Sequence, residues 1–488
     1  MLFNSLEFVL FFPLVVVAFY ATPHRWRWLL LLVASYTFYM AWEPAYGLLI
    51  LLSTLVDYHV ARLIPEQATL AGRRRLLGIS LVSNLGMLFS FKYYNLVNNT
   101  AAALAASLGI DWPLPESNLL LPVGISFYTF QTIGYTIDVY KGRQEPEQHF
   151  GFMALFVVYF PQLVAGPVER AGRLLPQLKA PVSFDTDRIV SGLRLAAWGL
   201  FKKVVVADRL AEVVDVIYGN PQGFGGFAFV VGTVFFGYQI YCDFSGYSDI
   251  AIGVARVLGV DLMKNFDQPH LSRSMAEIWT RWHISLSIWF RDYIYIPLGG
   301  NRVPFGRWAL NIMVVMVGSG LWHGAQWSLM AWGAVHALLL ILERATQAQR
   351  AWLQIALGLT RVPWLQRLVQ WLCTWLLWQM TLVFFRANSL SDAIFILTHL
   401  GTGWDHLGNL VALARFFSRV HLDGFLFLYC LLLCPLTEGI DYVLRSPALV
   451  ARFQALPRPV LWSVDQLLLF SILVLGSFGD KPFVYFQF

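Results

Sequence analysis

Charge is what this chain has least of. Only 13% of its 488 residues are Asp, Glu, Lys or Arg, and 57% are hydrophobic. An average soluble domain is about 25% charged, so this chain lacks the polar surface to dissolve. Cysteine is scarce as well: Cys242, Cys373, Cys430 and Cys434 lie in or beside apolar stretches without paired metal-ligand spacing, which reads as core packing and no metal site. A basic n-region is missing too, because residues 1–7 carry no Lys or Arg. The apolar run from Phe8 to Tyr20 is therefore expected to be a retained span and not a cleaved leader. The formal charge of +6 does not point to nucleic acid, since many of the basic residues sit in short loops between apolar segments, as membrane orientation requires.

What the chain does have is length without charge. Phe8 to Tyr20, Trp28 to Trp42 and Trp308 to Leu342 contain no Asp, Glu, Lys or Arg, and about twenty apolar residues suffice to cross a bilayer as a helix. The pattern predicts an all-α polytopic membrane protein with about ten or eleven transmembrane helices plus re-entrant or in-plane helices. The basic loops His24–Arg27, Arg62–Arg75 and Lys141–Arg143 are separated by two spans each, which puts all three on the cytoplasmic side and the N-terminus outside. Residues 95–118 carry Asp111 and Glu116 but no Lys or Arg, and belong outside. Three regions follow: flanking helices at 1–117, a core at 118–345, and a second flanking set at 346–488. In the core, residues 161–187 and 261–307 mix polar and apolar side chains with Trp, Arg, His, Pro and Gly. Such backbone is tolerated at membrane depth only where protein or water surrounds it, so a cavity-lining centre is expected.

Two histidines stand out in that core. His323, in Gly318-Ser319-Gly320-Leu321-Trp322-His323-Gly324, interrupts the uncharged stretch from Trp308 to Leu342, expected to cross as a span over 308–333. A polar side chain at that depth needs a partner or a purpose. One reading is a general base for an attacking hydroxyl; the other is a packing histidine bonded to a neighbouring helix. His283 lies in Glu277-Ile278-Trp279-Thr280-Arg281-Trp282-His283-Ile284-Ser285, where Trp279, Trp282, Leu286 and Trp289 recur at helical steps. That spacing predicts one continuous helix with Glu277, Arg281 and Ser285 together. It is either an interfacial aromatic-anchored helix or the lining of a donor site. Asn265 precedes it in Asn265-Phe266-Asp267-Gln268-Pro269-His270. Asp243 and Asp249, expensive in an apolar run, are too few for a metal and are expected to hold neighbouring arginines, with Arg281 and Arg291 as candidates. Pro161 to Arg170 reads as a broken segment that dips into the membrane and returns.

Together, Gly124-Ile125-Ser126-Phe127-Tyr128, Ala165-Gly166-Pro167, Asp243-Phe244-Ser245-Gly246-Tyr247-Ser248-Asp249, Arg281-Trp282-His283-Ile284-Ser285 and Leu321-Trp322-His323-Gly324 occur in an order and spacing that resemble the membrane-bound O-acyltransferase family, specifically its bacterial exopolysaccharide branch. The resemblance runs over nearly the whole chain, through the aromatic tail Phe483 to Phe488. It implies a bundle around a central catalytic tunnel, in which His323 is the characteristic histidine and His283 the second one. Arg281, Asn265, Trp322, Ser285 and Asp243 are the implied substrate-binding residues. The implied donor is acetyl-CoA or another acetyl thioester, with no metal. The implied acceptor is an exopolysaccharide such as alginate or cellulose, reached through a periplasmic hydrolase-like acetyltransferase partner and a polysaccharide synthase complex at the bacterial inner membrane. Arg170, Arg173, Lys202, Lys203 and Arg302 are candidates for holding a carrier's phosphates. Tyr485 resembles the acyl-accepting tyrosine of a partner tail in related systems. The competing classes are a transporter, which calls for inverted repeats that the sequence does not display, and a non-enzymatic component of a polysaccharide synthase.

Overall fold

The computed structural model describes the chain except residues 405–407, 421, 423, 479–482 and 485–488. Tyr485 therefore lies outside the described residues. Every regular element among those described is helical. Seven helices are long and apolar enough to cross a membrane: Pro44–Glu66, Leu70–Ser107, Gly226–Val257, Trp327–Ala345, Pro363–Arg386, Gly424–Arg445 and Arg458–Leu475. The ten or eleven crossings expected from the sequence also counted shorter or more polar segments. Leu6–Ala21, for example, is apolar but only 16 residues long, whereas a perpendicular crossing of the hydrocarbon core takes about 20 residues.

The chain divides into two compact units, Met1–Ala196 with Tyr247–Lys264, and Ala197–Gly246 with Asn265–Phe488. In the first, Pro44–Glu66, Leu70–Leu88 and Ile125–Tyr140 enclose a buried carboxylate. Asp57 accepts hydrogen bonds from Ser80, from Asn84 at 2.8 Å and from Thr136 at 3.1 Å. Asn84 Oδ1 in turn accepts from Ser53 at 2.9 Å and Thr132 at 3.0 Å. These donors satisfy polar groups that are costly to bury alone. Gly124 opens Ile125–Tyr140 at φ +77°, and a Cβ there would lie 2.8 Å from the Leu163 carbonyl oxygen, so both conformation and space call for glycine. The segment from Pro161 to Glu169 is buried within this unit, as irregular backbone in a membrane protein must be.

In the second unit the central feature is a hairpin of Phe305–His323 and Trp327–Ala345. The single span expected over 308–333 is broken here: the first helix ends at His323, and Gly324 leaves it in extended conformation at φ −169°. Two glycines bring the arms together. A Cβ on Gly320 would lie 2.2 Å from the Leu329 carbonyl oxygen, and one on Gly333 would lie 2.2 Å from that of Met316. Any larger residue at either position would push backbone from backbone. Of the cysteines, Cys242, Cys430 and Cys434 are buried but Cys373 is exposed, so core packing does not explain all four.

Candidate active site

The hairpin carries its histidine at the tip. His323 is 3% exposed, and its ring is surrounded by aromatic edges: Trp322 at 5.0 Å between centroids, Trp332 at 5.3 Å and Phe385 at 5.3 Å. Such T-shaped contacts fix ring orientation by setting aromatic edges against faces. The second imidazole, His283, lies 6.2 Å from the first and 5.7 Å from Trp322, with Phe244 against it at 4.6 Å. The two histidines, forty residues apart in sequence, thus share one cluster of packed aromatic rings, the aromatic chamber, in the second unit.

His283 reaches this place through a break that the helical spacing did not reveal. Residues 277–287 are not one helix: Met275–Arg281 stops, Trp282 is extended, His283 adopts the left-handed conformation at φ +43°, and Ile284–Phe290 begins anew. A left-handed non-glycine residue costs about 1 kcal/mol or more and persists only where its surroundings enforce it. Here they do. Asp267 N–H donates to the Arg281 carbonyl at 2.9 Å, and Ile284 N–H donates to the Asn265 carbonyl at 2.8 Å, so the segment 265–267 braces both sides of the break. The Ser285 hydroxyl donates to Asn265 Oδ1 at 2.6 Å. Trp282 is wedged between Phe266 and Trp378, each at 5.0 Å.

The break also separates residues that a continuous helix would join. Arg281 keeps its pairing with Glu277 at 2.7 Å, but Ser285 faces Asn265 instead of joining them. Asn265, Ser285 and Trp322 are brought to the histidines through this scaffold, while Arg281 sits at its part-exposed margin.

Asp243 holds a lysine, not an arginine. Lys203 Nζ lies 2.7 Å from Asp243 and 2.9 Å from Asp208. The other Asp243 oxygen accepts the Val484 N–H at 2.8 Å, and the Lys203 ammonium stands 4.4 Å from the Phe483 ring. Asp243 thereby ties the chain's last described residues to the long helix Gly226–Val257. Neighbouring Lys202 is also buried, 3.8 Å from Asp441, which accepts hydrogen bonds from Trp198 at 2.9 Å and Tyr241 at 2.5 Å. Lys202 and Lys203 are committed to internal carboxylates, so the expectation that they meet a carrier's phosphates on the cytoplasmic side does not hold. Arg291 pairs with its neighbour Asp292 at 2.8 Å.

One part of the chamber was missed from sequence. Trp332 and His336, four apart on the helix Trp327–Ala345, extend the aromatic wall behind His323: their rings are 4.8 Å apart, and His336 touches Trp279 at 5.2 Å and Trp378 at 5.4 Å. Neither His336 nitrogen finds a hydrogen-bond partner among the described residues. The signal was present as a second histidine in the same uncharged stretch, with a Trp one turn before it. Among the described residues no group of three or more His, Cys, Asp and Glu side chains is placed to hold a metal.

Comparison with known proteins matches residues 149–386 to the membrane-bound O-acyltransferase family, a region that includes both histidines. The chain is 35% identical over its whole length to the whole of the probable alginate O-acetylase of Azotobacter vinelandii. It is 38% identical to that of Pseudomonas aeruginosa over 80% of this chain and 73% of the relative. Against the peptidoglycan O-acetyltransferase of Helicobacter pylori identity is 29%, covering 100% of this chain and 98% of the relative. A polytopic helical chain of this composition, similar from end to end to such enzymes, belongs to the membrane-bound O-acyltransferase family, alongside the alginate O-acetylases, and is an acyltransferase.

Proposed function

We propose that the chain passes an acetyl group from a cytoplasmic thioester, acetyl-CoA or another acetyl thioester, to an acceptor on the far side of the bacterial inner membrane for O-acetylation of an exopolysaccharide. The observation that carries this reading is the pairing of His323 and His283 at 6.2 Å inside an aromatic chamber of a membrane protein. Low-polarity walls strengthen each electrostatic contact made within them. Imidazole is the side chain whose ordinary titration range suits general-base work near neutral pH. That role is given to His323, because burial lowers the His283 pKa from its ordinary 6.5 to about 3 and keeps it neutral.

With His323 as base, the acceptor hydroxyl gives its proton to the imidazole while its oxygen attacks the thioester carbonyl. The C–S bond then breaks, and the departing thiolate takes the proton back from the imidazolium. With His323 as carrier, its nitrogen attacks the thioester carbonyl, the C–S bond breaks and the thiol leaves with the imidazole proton; the acceptor hydroxyl then attacks the acyl-imidazole, the N–C bond breaks and the hydroxyl proton returns to the ring. His283 lines the same chamber on the donor side, with Asn265, Ser285 and Trp322 positioning it and Arg281 at the entry. The catalytic part is the 118–345 region, the N-terminus faces the periplasm, and a periplasmic hydrolase-like acetyltransferase completes the transfer within a synthase complex. The Azotobacter and Pseudomonas relatives named for alginate favour that polymer for the acceptor pathway, with cellulose as the second candidate.

The test is His323→Ala in polymer-producing cells with chain abundance measured in the membrane fraction. Loss of polymer-bound acetate at normal abundance and normal polymer yield is the expected result. Normal acetate at normal abundance would overturn the assignment of His323 as the reaction centre.

A further inference from the structure

Away from the histidines, the second unit holds a cavity of about 540 Å³ between the lower part of the hairpin and the short helix Gln347–Ala356. That volume is within the roughly 300–1,000 Å³ range of small-molecule sites. Its inner wall is apolar, formed by Trp308, Ile312 and Leu340, and its outer wall is polar, formed by Arg344, Gln347, Arg350 and Gln354. Glu343 also lines it, but one of its carboxylate oxygens accepts the Met275 N–H at 2.8 Å.

The two arginines are fixed without being neutralised. Arg344 lies 4.2 Å over the Trp308 ring, and Trp308 is itself held by an indole hydrogen bond of 3.0 Å to the Tyr295 hydroxyl. Arg350 donates to the Glu343 backbone carbonyl. Neither arginine forms an ion pair with a carboxylate among the described residues.

The helix that closes the cavity is amphipathic in the reverse sense to that of a soluble protein. Gln347, Arg350 and Gln354 share the face that lines the cavity, while Trp352 and Ile355 on the opposite face are 68% and 66% exposed. An exposed apolar face of this kind marks a contact surface, and on a short helix beside membrane-length helices lipid is the contact it suits. The helix has no buried residue, and it sets an exposed apolar side next to the polar side that borders the cavity, the pattern of an interfacial membrane helix. Leu353 and Leu357, 48% and 63% exposed, bring that apolar surface to the edge of the cavity beside Arg350 and Gln354. From residue 343 to residue 367 the chain carries Arg344, Arg350, Arg361 and Arg367 against the single acid Glu343, which is the charge bias of the cytoplasmic leaflet.

We propose that this cavity binds the phosphate headgroup of an anionic phospholipid, with Arg344 and Arg350 as the phosphate ligands, Gln347 and Gln354 as donors to the glycerol, and the acyl chains lying along Leu353 and Leu357. A soluble phosphate would gain the arginines but nothing from the flanking apolar surface; a zwitterionic lipid would gain the apolar surface but bring its own ammonium to two guanidinium groups. The anionic lipid satisfies both.

The experiment is native mass spectrometry of the purified full chain, titrated with palmitoyl-oleoyl phosphatidylglycerol or phosphatidylcholine. One phosphatidylglycerol is expected to be retained with a preference on the order of tenfold or more, given about 1 kcal/mol for each basic residue near an anionic surface. Arg344→Gln with Arg350→Gln is expected to reduce that preference to parity. Gln354→Glu, which places a carboxylate in the cavity without removing an arginine, is expected to weaken it independently. Each variant is compared with the parent by gel filtration and thermal midpoint, so that loss of binding is read only from folded protein. Equal retention of the two lipids, persistence of the preference in both variants, or displacement of the lipid by inorganic phosphate or glycerol 3-phosphate would overturn the proposal; the last would reassign the cavity to a soluble phosphate ligand.

Discussion

Placing the proposed catalytic histidine at the tip of a hairpin makes activity depend on how closely the two arms approach, and Gly320→Ala tests this directly. The added Cβ would stand 2.2 Å from the Leu329 carbonyl oxygen and 3.0 Å from its carbon, where ordinary contact begins at 3.4 Å. Backbone, not a flexible side-chain end, has to yield, and the arms must separate by roughly 1 Å to relieve the overlap. Overpacking of this kind costs about 1–3 kcal/mol, against which alanine recovers only about 0.5–1 kcal/mol of helix propensity. The net expectation is a loss of about 1–2 kcal/mol. The effect on rate is larger, because His323 lies three residues further along the displaced arm and a 1 Å misplacement of a reacting group costs on the order of a hundredfold. The control is Gly306→Ala in the first turn of the same helix, where a Cβ meets nothing within 4 Å. The assay is acyl transfer by the reconstituted chain together with its thermal midpoint in detergent. If Gly320→Ala matches the Gly306→Ala control in both rate and midpoint, the close approach of the arms does not govern the histidine and the reasoning fails.

Other perturbations act on separate parts of the molecule. Lys203→Met leaves Asp243 and Asp208 without their shared ammonium; a broken buried ion pair costs about 3–5 kcal/mol, so abundance in membranes should collapse, and a rescue by Asp243→Asn with Asp208→Asn would show that uncompensated charge is the cause. Asn265→Ala removes the acceptor of the Ser285 hydroxyl and should lower stability by about 1–3 kcal/mol, read as the shift in thermal midpoint; an unchanged midpoint would mean that the brace is dispensable. His336→Phe preserves the aromatic wall behind Trp332, and an unchanged midpoint with a reduced transfer rate would assign the imidazole a part in the reaction, whereas unchanged rate and midpoint would make it packing alone. Outside the candidate spans, burial raises the Glu169 carboxyl from its ordinary 4.5 to about 7. Between about pH 4.5 and 7 the folded chain retains a proton that the unfolded chain has released, so the Glu169 contribution to stability is full below about pH 4.5 and is lost as the pH rises through about 7; Glu169→Gln should remove that part of the decline in a thermal-midpoint series, and a parallel decline in both proteins would remove the assignment.

What could be read from the sequence was whatever composition and charge control. The uncharged run from Trp308 to Leu342 made membrane helices and a deep His323 legible, and the helix Met275–Arg281 with its Glu277–Arg281 pair followed from four-residue spacing. The interruptions were not legible. Trp279, Trp282, Leu286 and Trp289 keep helical spacing across the break at His283, because the break inserts no glycine or proline. Hydrogen bonds from 265–267 and the packing of Trp282 on Phe266 and Trp378, all from other parts of the sequence, brace the left-handed His283. Partner choice was equally hidden. Asp243 was expected to seek an arginine because arginines are near it in the motif order, yet Lys203, forty residues earlier, is the group that folding brings to it.

These interruptions follow from the solvent. A continuous helix in a bilayer satisfies its backbone internally, and an imidazole on its inward flank is packed against neighbouring helices, as His336 is. Ending a helix inside the protein turns the terminal side chain toward an enclosed space, but it leaves backbone groups that must be satisfied locally. His323 and His283 illustrate the two solutions. At His323, the Gly324 N–H still reaches back to the Gly320 carbonyl at 3.3 Å before the chain becomes extended. At His283, the orphaned Arg281 carbonyl and Ile284 N–H are taken up by Asp267 and Asn265. Asn265 contributes through both its backbone and its side chain, which makes it the residue whose loss should move His283 most while leaving His323 and its hairpin in place. A structure of Asn265→Ala in which His283 keeps φ near its present +43° would show instead that the Asn265 side chain is dispensable, and that the retained backbone bonds from 265 and 267 with the Trp282 wedge hold the break.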